Sequence, residues 1–139
     1  MGRRGTIHLH SSRLPVRVLS PTRTATSALC VRSVAVGQSY RLVVTHTGAV
    51  FSTGSGSYGE LGHGGHEAKA ELARVVLLQG KRAIYASASG HSLVVTECGE
   101  AYSWRFPGDH DLCNCLGHDD DRGCPDILAA PSRVASFYD

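Results

Sequence analysis

Leu42-Val43-Val44-Thr45-His46-Thr47-Gly48-Ala49-Val50-Phe51-Ser52 is answered 51 residues later by Leu93-Val94-Val95-Thr96-Glu97-Cys98-Gly99-Glu100-Ala101-Tyr102-Ser103. The apolar run, its closing threonine, the glycine and the aromatic-serine pair all recur in register. Further on, Leu61-Gly62-His63 returns as Leu116-Gly117-His118 at an offset of 55, so the second copy carries four extra residues between Trp104 and Leu116. Matches held in phase over this length mark a tandem repeat, in which each copy is one supersecondary unit.

Each copy has a physical reading. Leu-Val-Val-Thr is a short β-branched run with the composition of a buried strand. Two residues follow, then Gly48 or Gly99, where positive φ suits a tight turn. Strand character resumes at once, in Ala49–Ser52 and in Ala101–Trp104. Each copy is therefore built on a β-hairpin. A third strand is expected over Leu72–Leu78, leading through Gln79-Gly80-Lys81-Arg82 into the next copy.

Between hairpin and third strand the first copy is rich in glycine, from Gly54 to Gly62. A phosphate loop would end in Gly-Lys-Ser/Thr and open a helix. Neither feature is present, so the stretch reads as a structural loop whose glycines let backbones approach closely.

Gly90-His91-Ser92-Leu93, Gly99, Tyr102-Ser103-Trp104, Leu116-Gly117-His118 and Pro131-Ser132-Arg133-Val134 in the second copy resemble the repeat of the regulator of chromosome condensation family. In the first copy the matching residues are Val36-Gly37, Gly48, Phe51-Ser52 and Gly59-Glu60-Leu61-Gly62. The resemblance covers residues 34 to about 137. Both copies depart from the pattern: Arg105 stands for Gly, Thr53 for Trp, Tyr40 for His, and Thr47 and Cys98 for Asp. At the common offset, Ala88 stands where the first copy has Gly37.

The resemblance implies an all-β fold, a partial β-propeller of about two four-stranded blades that leaves the ring incomplete. The division it suggests is a basic segment over 1–33, repeat 1 over 34–84 and repeat 2 with its loop insertion over 85–139. Pro15-Val16-Arg17-Val18 fits the tail of a preceding repeat. It also implies a non-catalytic protein-interaction scaffold, a piece of a larger propeller, with a small GTPase or a chromatin protein as partner kinds. Guanine-nucleotide exchange on a small GTPase is the alternative. Two blades leave faces and strand edges open, which points to self-association.

Charge is divided along the chain. The net charge of +2 combines seven arginines and no acid before Glu60 with seven basic and twelve acidic residues thereafter. Apart from the pair Arg3-Arg4 the arginines are scattered singly and form no basic patch with interleaved aromatics, which argues against nucleic-acid binding. No apolar run approaches the roughly 18 residues of a membrane span. An intracellular chain, in cytoplasm or nucleus, is expected. The acid-free start, Arg- and Ser-rich, gives organelle import as the alternative.

The chain has five cysteines. Without a secretion signal they are expected to be reduced thiols rather than a disulfide framework. Cys113, Cys115, His118 and Cys124 are zinc-type ligands. Cys-x-Cys is tighter than common zinc spacing, however, and His118 copies His63. A zinc-stabilised domain is thus the rival reading, and no metal or cofactor is assigned. Asp119-Asp120-Asp121 lacks the alternating spacing of a calcium loop. No nucleophile elbow or zinc-protease signature occurs, so no catalytic residue is assigned and the chain is read as non-enzymatic.

Overall fold

In a computed structural model of the chain, residues 30–105 and 129–134 are described. The repeated β-branched runs form strands. β1 (Val31–Val36), β2 (Tyr40–Thr45), β3 (Val50–Gly54) and β4 (Lys69–Arg74) pair in chain order as one antiparallel sheet. β5 (Ala83–Ala88), β6 (Ser92–Thr96), β7 (Ala101–Trp104) and β8 (Ser132–Arg133) repeat the arrangement in a second sheet. The fold is all-β, as expected, with two four-stranded sheets that do not close into a ring.

The conserved spacing of Thr and Gly makes the same turn twice. Thr45 N–H donates to the Ala49 carbonyl and Gly48 N–H to the Thr45 carbonyl, each at 2.9 Å. Thr96 N–H and Gly99 N–H repeat these bonds to Glu100 and Thr96 at 2.8 and 3.0 Å. Gly48 and Gly99 take φ of 83° and 87°, the left-handed region that disfavours any side chain. The threonine hydroxyl closes the turn by accepting the Ala49 N–H, or the Glu100 N–H in the second copy, at 3.1 Å. Thr therefore ends the apolar run because it is both β-branched and a turn acceptor.

Two expectations are corrected. The strand expected over 72–78 ends at Arg74, and Val76–Leu78 form a 3₁₀ turn. Val75 N–H still reaches the Val50 carbonyl at 2.9 Å, after which the chain leaves the sheet to cross to the next. The equivalence of Ala88 with Gly37 also fails. Pairing sets Val36 against Arg41 and Ala88 against Ser92, so Ala88 corresponds to Val36 and the second β-turn is one residue shorter.

Alternation along the strands decides what meets what. β2 sends Tyr40, Leu42 and Val44 to one side and Arg41 and Val43 to the other. The first side packs against the second sheet, where Ala83, Ala86, Val94, Tyr102 and Trp104 join Leu61, Val75 and Leu78 in one core. β5 lies against both β1 and β2. Fully burying an aliphatic side chain such as Leu42, Val44 or Val94 contributes about 1.5–3 kcal/mol.

Candidate functional site: the junction between the two sheets

The glycine-rich stretch after β3 builds the junction. Gly59 N–H donates to the Gly56 carbonyl at 2.8 Å and Gly62 N–H to the Gly59 carbonyl at 3.1 Å, winding residues 56–62 tightly. The Glu60 carboxylate is buried inside this winding and accepts the Tyr58 N–H at 2.7 Å. The Glu60 backbone carbonyl is thereby turned to the second sheet. There it accepts two bonds of 2.8 Å, one from the Trp104 indole N–H and one from the Ser92 hydroxyl. Ser92 also hydrogen-bonds the Tyr40 hydroxyl at 3.0 Å, and burial pushes that phenol above its ordinary pKa.

Glycine is required where the loop meets the second sheet. A Cβ on Gly62, at φ 76°, would lie 2.8 Å from the Trp104 indole nitrogen. One on Gly59, at φ 69°, would lie 2.5 Å from the Ala129 Cβ. Gly64 N–H then donates to the Ala129 carbonyl at 3.0 Å. The stretch is an inter-sheet clasp, in keeping with a structural rather than phosphate-binding loop.

Ser52 and His63 form a close Ser–His pair, with Oγ 2.9 Å from Nε2. Ser52 donates its proton to the Leu61 carbonyl at 2.9 Å, so His63 must donate from Nε2 to Oγ. A hydroxyl already committed to a carbonyl and fully buried is no nucleophile. Burial, reinforced by Lys69, holds the His63 imidazole below its ordinary pKa.

A second polar cluster fastens the inter-sheet linker. Glu100 receives Lys81 Nζ at 2.8 Å, the Tyr102 hydroxyl at 3.0 Å and the Cys98 thiol at 3.6 Å. Arg133 approaches its other oxygen at 3.8 Å. These bonds hold Glu100 below the usual carboxylate range and raise Lys81. A hollow of about 170 Å³ beside the linker is lined by Thr47, Arg74, Lys81 and Arg82 among others. Lys81 and Arg82 are already paired with Glu100 and Glu97, leaving little field for an anion.

The zinc-type residues Cys113, Cys115, His118 and Cys124, and the acidic run Asp119–Asp121, lie outside the described residues. Among the described residues no group of three His, Cys, Asp or Glu side chains is placed to hold a metal. Among them, too, no helix is long and apolar enough to cross a membrane. Sequence reading singled out Ser92, Trp104, Gly59, Glu60 and Gly62 only as pattern positions. Their shared role around one carbonyl was visible only in three dimensions.

Successive antiparallel four-stranded meanders, packed face to face through a loop of the first, are consecutive blades of a β-propeller. No family model matches the chain. It is 40% identical over 77 residues to mouse RCC1 domain-containing protein 1, covering 55% of this chain and 20% of the relative. It is 36% identical over 100 residues to the human E3 ubiquitin-protein ligase HERC2, covering 71% of this chain and 2% of that protein. The crystal structure of Prp20p from Saccharomyces cerevisiae superposes with a TM-score of 0.59 at 24% identity, over 76% of this chain and 26% of that one. The two blades are repeats of the regulator of chromosome condensation type, RCC1 repeats. The chain thus spans 20%, 2% and 26% of the length of these three proteins.

Proposed function

We propose that the chain is a non-catalytic protein-interaction module of RCC1-type blades. The observation that carries this reading is where the polar chemistry goes. Ser52, His63, Ser92, Tyr40 and Trp104 are engaged inside or between the blades. Loops and open sheet faces remain for recognition, and in repeat folds those are the surfaces that bind partners. Variants of Ser52 and Ser92 should affect stability and leave any measured binding of the folded protein unchanged. Loss of binding by a stably folded Ser52→Ala protein would contradict the reading.

A second reading is regulation of a small GTPase or contact with chromatin. Its support is the fold shared with Prp20p, a protein studied for its binding properties to Gsp1p and histones. Accelerated nucleotide release from a small GTPase on adding this chain would establish it, and unchanged release would remove it. Metal analysis of the purified chain separates the zinc reading. The module reading expects no stoichiometric zinc, and a Cys113→Ser/Cys115→Ser protein as stable as the parent.

A further inference from the structure

Arg105 follows Trp104 out of β7, and the 51-residue offset sets it against Gly54 of blade 1. Gly54 has φ of 121°, and a Cβ there would run into the Ser39 carbonyl oxygen, so blade 1 has no room for a side chain. Blade 2 has the shorter turn at this point. Its arginine reaches past that turn, with Nη1 3.0 Å from where a Cβ on Gly90 would stand. The clasp supplies the other wall. Trp104 is held on the Glu60 carbonyl, and the Glu60 carboxylate holds the Tyr58 N–H. The Tyr58 ring centroid lies 5.5 Å from the Arg105 guanidinium carbon, within cation–π reach. Tyr58 is 53% exposed, so the pair stands at the surface and takes one residue from each blade.

Packing does not account for two features of Arg105. Its Nε–H is buried and has no acceptor, which destabilises the fold. Nor does any carboxylate among the described residues form an ion pair with it, and that of Glu60 is spent on its own loop. We infer that Arg105, on its Tyr58 platform, is a binding site for a carboxylate of a partner protein. The inference rests on the reading of the chain as an interaction module and names the chemistry that one of its surfaces takes.

A guanidinium presents its donors in a planar fork that fits a carboxylate through two parallel bonds. Stacking on Tyr58 holds the fork in one plane before the ligand arrives, which reduces the ordering cost of binding. Seated side-on, a carboxylate takes one bond from an Nη and one from Nε–H, supplying the acceptor that Nε lacks. Nε is shielded in the free chain, so the side chain turns outward to admit the ligand. One unpaired positive charge matches one carboxylate. A phosphate dianion calls for a second cation, and Lys69 at the end of the same loop is already paired with Glu67.

The test is nuclear magnetic resonance of the full chain, following the Arg105 Nε–H signal, which is assigned by its loss in Arg105→Lys. The probes are a glycine-glutamate-glycine peptide capped at both ends, its glutamine counterpart, and inorganic phosphate. The glutamate peptide should shift the signal saturably, phosphate more weakly, and the glutamine peptide not at all. Arg105→Lys keeps the charge and loses the fork, and should bind the glutamate peptide about tenfold less tightly. Tyr58→Phe keeps the aromatic face and should bind as the parent does, whereas Tyr58→Ala should bind less tightly. All three variants should keep the parent's circular dichroism spectrum. An Arg105 signal indifferent to the glutamate peptide would overturn the site, as would equal affinity in Arg105→Lys. Phosphate as effective as the glutamate peptide would overturn the protein carboxylate in favour of a free oxyanion. Either failure removes this inference alone, because the module reading is judged by binding in the Ser52→Ala protein.

Discussion

Gly48 and Gly99 occupy equivalent turns at nearly equal φ, yet their surroundings differ. A Cβ on Gly48 would lie 2.8 Å from the Arg82 Cα, while one on Gly99 meets nothing within 4 Å. Left-handed strain of about 1–2 kcal/mol applies to alanine at both. Gly48→Ala should therefore destabilise more than Gly99→Ala, by roughly a further 1–3 kcal/mol of overpacking. Denaturant midpoints of the two variants check this, and equal losses would show that the linker backbone yields freely. Trp104 separates in the same way. Trp104→Phe removes one donor from a carbonyl that keeps Ser92, costing about 1 kcal/mol. Trp104→Ala empties a fully buried site and should cost about 3–5 kcal/mol.

His63 gives the residue scale a pH dependence. Burial favours its neutral form, so the folded chain binds that proton more weakly than the unfolded chain does. The stability it contributes is present above the ordinary imidazole pKa of about 6.5 and is lost as pH falls through the lower folded value. His63→Gln keeps an N–H donor for Ser52 and removes the titration. Midpoints compared at about pH 7.5 and about pH 5 should fall less in the variant than in the parent. An identical fall would assign the acid sensitivity to other groups.

At the scale of elements, the hairpins were legible because two short-range signals agree. The β-branched run sets the strand, and Thr plus Gly at fixed spacing sets the turn. Even a departure from the family pattern is absorbed here, since the Cys98 thiol meets Thr96 Oγ1 at 3.1 Å where Thr47 meets Thr45 at 2.8 Å. The end of β4 was not legible. Val75-Val76-Leu77-Leu78 looks like strand throughout, but sheet pairing stops at Arg74 and only Val75 and Leu78 turn into the core. Likewise a single constant offset misaligned Ala88, because a one-residue change in turn length is invisible in a stretch of small residues. The clasp was legible in composition but not in purpose. Glycines announced close approach, whereas the carbonyl of Glu60 has no side-chain signature at all.

At the scale of the molecule, the central feature is that two blades share one core. The first blade contributes Leu42, Val44 and Leu61, the second Val94, Tyr102 and Trp104, and both sets lie in a single buried cluster. The clasp adds the hydrogen bonds that fix their register. Blades joined in this manner should open together rather than one at a time. Amide hydrogen exchange resolved at Val44 in β2 and Val94 in β6 tests this most directly, in the parent and in Trp104→Ala. The account expects similar protection at both amides, and a similar loss at both when the indole is removed. Loss confined to Val94, with Val44 as protected as before, would contradict it, because the first blade would then stand without the second.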